Sequence, residues 1–127
     1  MQELEQPRVL IVDDEVRIVD LLTRFLTNAG YLVEDAMDGA QALELLAQGR
    51  ESHRYGAVLL DLHLPELSGL AVLHELAVSG DGVPVIAMSV DRQALHAAQA
   101  YGARAALAKP LDLDELRTLL AQHFRQA

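Results

Sequence analysis

The chain has 127 residues, of which 51% are hydrophobic, enough for one domain with a packed core. Nineteen acidic residues outnumber ten basic ones, so the net charge of −9 disfavours direct binding to nucleic acids or to anionic membrane surfaces. The absence of cysteine excludes disulfides, thiolate nucleophiles and Cys-ligated zinc.

No apolar run reaches the roughly 18 residues of a membrane span, and residues 1–5 lack the basic and apolar regions of a signal peptide. We therefore expect a soluble cytoplasmic protein with a single domain over residues 1–127. Its core should cover about residues 8–124, with no output domain.

Short apolar runs alternate along the chain with longer segments of helical periodicity. In chain order the pattern predicts strand 8–12, helix 15–29, strand 31–36, helix 38–48, strand 55–60, helix 67–79, strand 83–88, helix 92–101, strand 104–108 and helix 112–125. Gly30 and Gly102 end the first and fourth helices, and Asp38 and Asp112 are positioned to cap the second and fifth.

Five strand–helix pairs whose strands are apolar throughout predict a parallel sheet covered by helices on both faces. A closed barrel would need eight pairs. We therefore expect an α/β fold with an open, doubly wound five-stranded parallel sheet in the order 2-1-3-4-5, the flavodoxin-like (βα)5 arrangement. In the first helix, the apolar stripe is predicted to comprise Val16, Val19, Leu22, Phe25 and Leu26.

Polar residues follow four of the five predicted strands. Asp13 and Asp14 follow the first, Asp61 the third, Ser89 the fourth, and Lys109, the chain's only lysine, the fifth. Because the carboxyl ends of parallel strands meet at one edge of a sheet, we expect these side chains to converge. Three carboxylates and one ammonium leave a charge of −2, which matches one divalent cation such as Mg²⁺ (or Mn²⁺). A carboxylate in such a site can act as a nucleophile toward phosphorus.

Each of these residues taken alone has a simpler interpretation. Asp13 and Asp14 could cap the first helix, Asp61 could be a turn residue, and Lys109 could be a solvated surface charge. Their joint placement at successive strand ends favours the site. Lys109 precedes Pro110, which favours extended backbone at the lysine and makes this bond a candidate cis peptide.

In their order and spacing, several short motifs resemble the receiver domain of bacterial two-component response regulators, over residues 8 to about 124. They are Val12-Asp13-Asp14, Leu60-Asp61, Pro65, Gly69, Ser89 and Lys109-Pro110. The resemblance implies that Asp61 is the phosphoacceptor. Asp13 and Asp14 would hold Mg²⁺, Asp14 more directly, together with Asp61 and the backbone carbonyl of His63.

The resemblance also implies that Ser89 hydrogen-bonds one phosphoryl oxygen and that Lys109 pairs with another. The donor would be a phosphohistidine on a sensor histidine kinase or a phosphotransfer protein. The domain would catalyse its own phosphorylation and a slow autodephosphorylation, and it would not be a metabolic enzyme. Phosphorylation would alter partner binding or self-association.

The sequence departs from the family pattern beside the expected site. Ala106 stands where an aromatic residue is usual, so the ring that normally moves when the signal is transmitted is missing. Val90 replaces a small residue and would narrow the entrance. Arg104-Ala105 replaces a common acidic pair, which weakens the case for a charged dimer face.

The output is left open between an unknown partner and a homodimer formed through the fourth helix, fifth strand and fifth helix. Alanines in residues 94–108 could allow close approach there, or could simply fill helix positions at low entropic cost. His63 and Asp91, each two residues beyond a site residue, are expected to pair at the mouth and prolong the phosphorylated state. The five histidines share no metal-ligand spacing and are predicted to be at or near the surface: His53, His63, His74, His96 and His123.

Three other functions are compatible with parts of this pattern. A scaffold that binds partners without phosphorylation is supported by Ala106. A metal-dependent phosphatase would need a further acid and a cap, for which the chain has no spare length. A flavin carrier on the same fold is disfavoured because the acidic run at residues 13–15 would repel the cofactor's phosphate.

Overall fold

The computed structural model describes residues 6–52 and 54–125, so the prediction for His53 and that for residues 1–5 lie outside the described residues. Strands and helices alternate throughout. In chain order they are β1 Arg8–Val12, α1 Val16–Asn28, β2 Leu32–Ala36, α2 Gly39–Gln48, β3 Tyr55–Asp61, α3 Gly69–Ser79, β4 Val85–Ser89, α4 Arg92–Ala100, β5 Ala105–Ala108 and α5 Leu113–His123.

The five strands form one parallel sheet in the order β2-β1-β3-β4-β5, which confirms the predicted fold. One hydrophobic cluster joins the sheet to α2, α3 and α4, and a second joins the opposite face to α1 and α5. The central strand β3 is buried along its whole length, and from Ala57 to Leu60 its side chains alternate between the two clusters. The functional ends of the strands are therefore held by a two-sided core.

Side chains cap most of the helices. Asp38 Oδ1 accepts from the amide of Gln41 at 2.8 Å, and Ser68 Oγ accepts from Ala71 at 3.2 Å. Asp91 and Asp112 cap α4 and α5 in the same way. Glu15, at the start of α1, makes no side-chain cap. The start of α1 is instead fixed by Asp13, a residue of the strand end.

Two burial predictions are wrong. The predicted buried stripe of α1 includes Val16, but 60% of its surface is exposed, and the first residues of the helix that pack against the core are Ile18 and Val19. Strand β2 is not buried on both faces: it is an edge strand paired only with β1, and Leu32 is 42% exposed. In addition, β4 begins at Val85, two residues later than predicted, beyond Pro84, which has no amide hydrogen to donate.

After α5 the chain turns back onto the start of β3. The Arg125 amide donates to the Gly56 carbonyl at 2.9 Å, and its guanidinium donates to the Tyr55 carbonyl at 3.0 Å. The Phe124 ring packs on Tyr31 with 5.2 Å between centroids and fills the space beside Gly56. A Cβ added to Gly56 would lie 2.4 Å from Phe124 Cζ, so this contact requires glycine.

In the described part of the chain, no helix has both the length and the apolar character needed to cross a membrane.

Candidate functional site

Strand register brings the polar strand ends together at one edge of the sheet. Val12 pairs with Leu60, so Asp13 and Asp14 emerge beside Asp61. One carboxylate oxygen from each of these three aspartates lies within 4.8 Å of the other two. Parallel strands that end level with one another therefore produce the predicted acidic cluster.

Two of the three carboxylates are withdrawn from solvent. Asp13 is fully buried and Asp61 is 3% exposed, whereas Asp14 is exposed at the rim. The Lys109 ammonium lies 3.1 Å from Asp13 Oδ2, 3.6 Å from Asp61 Oδ1 and 4.0 Å from Glu15 Oε1. A single ammonium is thus shared among several carboxylates.

This arrangement shifts the titration of Asp13 and Lys109. Burial raises the pKa of Asp13, the Glu15 amide lowers it, and the neighbouring Asp61 charge raises it, with a net increase. Burial lowers the pKa of Lys109, but its hydrogen bond to Asp13 and the surrounding carboxylates outweigh burial and raise it. The lysine is held protonated, while the carboxylates are left with an excess of negative charge.

Backbone amides orient two of the carboxylates. Glu15 donates to Asp13 Oδ1 at 2.9 Å, and His63 donates to Asp61 Oδ1 at 3.1 Å. Within the described residues, Asp61 Oδ2 has no hydrogen-bond partner. One oxygen of Asp61 is thus fixed and the other is available for chemistry.

Gly69, at the start of α3, lets that helix pack directly on the backbone that carries Asp61. Its amide donates to the Leu62 carbonyl at 3.2 Å. A Cβ at this position would lie 2.6 Å from the Asp61 carbonyl oxygen and 2.7 Å from Leu62 Cα. The glycine of the sequence motif therefore has a steric reason: it allows α3 to support the loop after β3.

The predicted pairing of His63 with Asp91 is wrong. His63 Nε2 instead lies 2.8 Å from Ser89 Oγ, and Asp91 Oδ1 accepts from the Gln93 and Ala94 amides. Asp91 is directed away because it caps α4. The contact between the His63 ring and Ser89 was missed by sequence reasoning, and spacing alone carries no signal for it because it joins the loop after β3 to the last residue of β4, 26 residues further along the chain.

The acidic residues open into a cleft of about 290 Å³ lined by Asp14, Glu15, Asp61, His63, Val90 and Lys109. Val90 is 72% exposed at its mouth, and the Lys109–Pro110 peptide is cis. Ala106, three residues before the lysine, is half-buried against the core cluster on the α2–α4 side. No large side chain occupies position 106 behind the cleft.

The described histidines are placed as follows. His63, His74 and His96 are exposed, and His123 is half-buried. Among the residues that the structure describes, the only group of three or more His, Cys, Asp or Glu side chains suited to a metal is Asp13, Asp14 and Asp61.

The donor set fits a hard divalent cation. All three side chains offer carboxylate oxygens, the ligands that Mg²⁺ and Mn²⁺ prefer, and one ligand is exposed to the cleft. Lys109 compensates only part of their charge. The three carboxylates therefore suit Mg²⁺, and none of them is a soft ligand of the kind that copper prefers.

Comparisons with known proteins agree with this geometry. The family model described as "Response regulator receiver domain" matches residues 9–121. The "Response regulator MprA" proteins of Mycobacterium sp. (strain KMS) and Mycolicibacterium vanbaalenii are 38% and 39% identical to the chain over 111 residues, covering 86% of this chain and 46% of each relative. The chain thus spans about half the length of the curated relatives it matches.

Solved structures resemble it closely. The receiver domain of NtrX from Brucella abortus has a TM-score of 0.82 at 29% identity, covering 91% of this chain and 96% of that one. The response regulator TrrA from Thermotoga maritima, solved in complex with Mg(2+)-BeF, has a TM-score of 0.83 at 28% identity, covering 93% of this chain and 99% of that one. The family model, the fold and the cluster of aspartates at the strand ends all agree, and the chain belongs to the response regulator receiver domain family.

Proposed function

We propose that this domain is the phosphoacceptor switch of a two-component phosphorelay, with Asp61 as the residue that is phosphorylated. The observation that carries the proposal is the trio of carboxylates within 4.8 Å of one another, faced by the chain's only lysine. The donor is a phosphohistidine on a sensor histidine kinase or phosphotransfer protein. The proposed location is the cytoplasm, where such a bacterial donor acts.

The transfer uses the free oxygen of Asp61. Oδ2 attacks the phosphorus, an O–P bond forms, and the P–N bond to the donor histidine breaks with its electron pair returning to nitrogen. Oδ1 stays fixed by the His63 amide at 3.1 Å. Lys109 takes up charge on one phosphoryl oxygen, and Ser89 donates to another.

Asp13, Asp14 and Asp61, with the backbone carbonyl of His63, are the proposed ligands for Mg²⁺ (or Mn²⁺). The cation would neutralise charge shared by the carboxylates and the incoming phosphoryl group. The relative TrrA, solved with Mg(2+)-BeF, supports this choice. Later hydrolysis of the acyl phosphate in the same cleft would reset the switch slowly.

The readout is proposed to be altered binding of an output partner or a homodimer through α4, β5 and α5. Some alanines of these elements are buried and others are exposed: Ala98 and Ala105 are in the core, whereas Ala100 is exposed. Several of them therefore fill the core, and only the remainder are available for docking. A scaffold that needs no phosphorylation is the second candidate, favoured by the absence of a ring at Ala106.

Incubation with acetyl phosphate and Mg²⁺ tests the proposal. We expect intact-mass analysis to detect one added phosphoryl group, absent when Mg²⁺ is chelated and absent in Asp61→Asn. The control is Asp35→Asn, which removes an exposed carboxylate of β2 outside the cleft and should be phosphorylated normally. If no phosphoryl group is added while the chain still binds partners, the scaffold function is favoured instead.

A further inference from the structure

The hydroxyl of Ser89 is fully buried, and it makes two contacts. Its oxygen accepts from the Asp91 amide at 2.9 Å, and it lies 2.8 Å from His63 Nε2. A hydroxyl has one proton to donate, and a buried hydroxyl proton without an acceptor is costly.

The single proton of the Ser89 hydroxyl decides which group donates in the hydrogen bond between Ser89 and His63. Among the described residues, His63 Nε2 is the one acceptor within hydrogen-bond distance of Ser89 Oγ. If Nε2 carried the ring proton, the oxygen would accept twice and its own proton would be left unsatisfied. The satisfied arrangement has the imidazole proton on Nδ1, with Ser89 donating to Nε2.

In its hydrogen bond to His63, Ser89 uses its hydroxyl proton. The proposed function requires the same proton for a hydrogen bond to a phosphoryl oxygen on Asp61. A hydroxyl proton cannot make both bonds fully. We propose that His63 is a positioning residue for phosphoryl transfer: its Nε2 accepts the hydrogen bond of the Ser89 hydroxyl in the unphosphorylated domain. When the phosphoryl group arrives, one of its oxygens replaces Nε2 as the acceptor, and the imidazole is released. This inference rests on the proposed phosphorylation of Asp61.

The surroundings permit the exchange. His63 is exposed, so its ring can leave Ser89 and be hydrated by solvent, whereas Ser89 stays buried against the sheet. The ring and Val90 both line the mouth of the cleft, so release changes the surface that a partner meets there. Such a change needs no aromatic side chain at position 106.

Nuclear magnetic resonance of the imidazole nitrogens tests the bond directly. In mildly alkaline buffer we expect His63 to carry its proton on Nδ1, and its Nε2 resonance to shift in Ser89→Ala. After acetyl phosphate and Mg²⁺ are added to the wild-type chain, Nε2 should move toward its position in Ser89→Ala. A proton on Nε2, or no movement in a sample that mass analysis shows to be phosphorylated, overturns the proposal.

Kinetics supply a second test, independent of the spectra. His63→Phe keeps a ring but removes the acceptor, so Ser89 no longer has to break a hydrogen bond before it donates to the phosphoryl group. We therefore expect the initial rate of phosphorylation to rise about two- to tenfold, which corresponds to the free energy of one net hydrogen bond. In the Ser89→Ala background, His63→Phe should have no further effect. His74→Phe, the same change at an exposed histidine of α3, should leave the rate unaltered.

The outcomes separate the two proposals. A lower rate in His63→Phe, or an equal effect of this substitution with and without Ser89, overturns the role of His63 while leaving the phosphoacceptor function intact. Failure of the wild-type chain to gain a phosphoryl group overturns the phosphoacceptor function, and with it the exchange at Ser89. The spectrum of the unmodified protein then shows separately whether the hydrogen bond exists.

Discussion

At the scale of single residues, the buried carboxylates of the site lower the free energy of unfolding. Asp13 and Asp61 are buried next to each other with Asp14 at the rim, and Lys109 is the one cation that the described residues place against them. Because burial and Asp61 raise the pKa of Asp13, folding favours its protonated form. The ionised carboxylate therefore opposes folding at neutral pH, and this unfavourable contribution fades as the pH falls through the raised pKa.

Replacing Asp14 with asparagine should stabilise the metal-free domain by about 1 kcal/mol, because it removes a like charge without breaking an ion pair. The measurement is urea unfolding in the presence of a chelator. With Mg²⁺ added, the wild-type chain should gain stability and Asp14→Asn should gain much less. A variant that is less stable than the wild type under chelation would contradict this account of the cluster.

Gly69→Ala should lower the free energy of unfolding by about 1–3 kcal/mol and slow phosphorylation, because the new methyl group would press on the backbone of Asp61 and Leu62. Chemical unfolding and the acetyl phosphate assay measure the two effects. Gly82→Ala is a matched control, since its nearest neighbour would be an arginine nitrogen at 3.9 Å. Equal stability of the two variants would exclude the steric role of Gly69.

At the scale of elements, the Glu34 side chain links the edge strand β2 to the starts of β1 and β3. Tyr55 donates to Glu34 Oε1 at 2.7 Å, Arg54 donates to Oε2 at 2.8 Å, and Arg8 also pairs with Oε2. Burial raises the pKa of Glu34, but the hydrogen bonds from Arg54, Tyr55 and Arg8 outweigh it and lower the pKa. This contribution to stability is present above the unfolded-state pKa and is lost as the pH falls through the depressed value.

Tyr55→Phe should destabilise the domain by about 1–2 kcal/mol near neutral pH, because Glu34 loses a buried donor. Burial and the bond to Glu34 raise the pKa of Tyr55 to about 12. The wild-type advantage should hold below about pH 10, the ordinary tyrosine pKa, and disappear as the pH rises through about 12. Unfolding curves over this range test it, with Tyr101→Phe as a half-exposed control.

The sequence was sufficient for the type and order of the elements, because apolar runs and helix caps are local signals. Asp38 and Asp112 do begin their helices. The sequence was insufficient for burial that depends on the position of a strand in the sheet: Leu32 is exposed because β2 is an edge strand with a partner on one side only. For the site, strand ends could be predicted from topology, but the His63–Ser89 contact depends on loop conformation.

At the scale of the whole molecule, the end of α5 is tied to the start of β3 by Phe124 and Arg125, at the edge of the sheet opposite Asp61. The Gly56 end of β3 is five residues from Asp61, or roughly 16 Å at 3.3 Å per residue. The two termini of the central strand therefore serve separate tasks: one carries the acidic cluster and the other anchors the last helix.

Gly56→Ala should displace the Phe124 ring and lower the unfolding free energy by about 1–3 kcal/mol, since the added Cβ would lie 2.4 Å from that ring. In a Phe124→Ala background the same change should cost much less, because the space is vacated. Unfolding measurements on the four variants of this cycle reveal the coupling. Additive effects would show that the two residues do not compete for one space.

The anchoring of Arg125 also has a practical use. A fluorescent reporter attached at Arg125 itself would stand at the end of β3 remote from the acidic cleft, away from the strand ends that a donor protein must reach. Such a reporter makes it feasible to follow phosphorylation optically without blocking the reaction that is being observed.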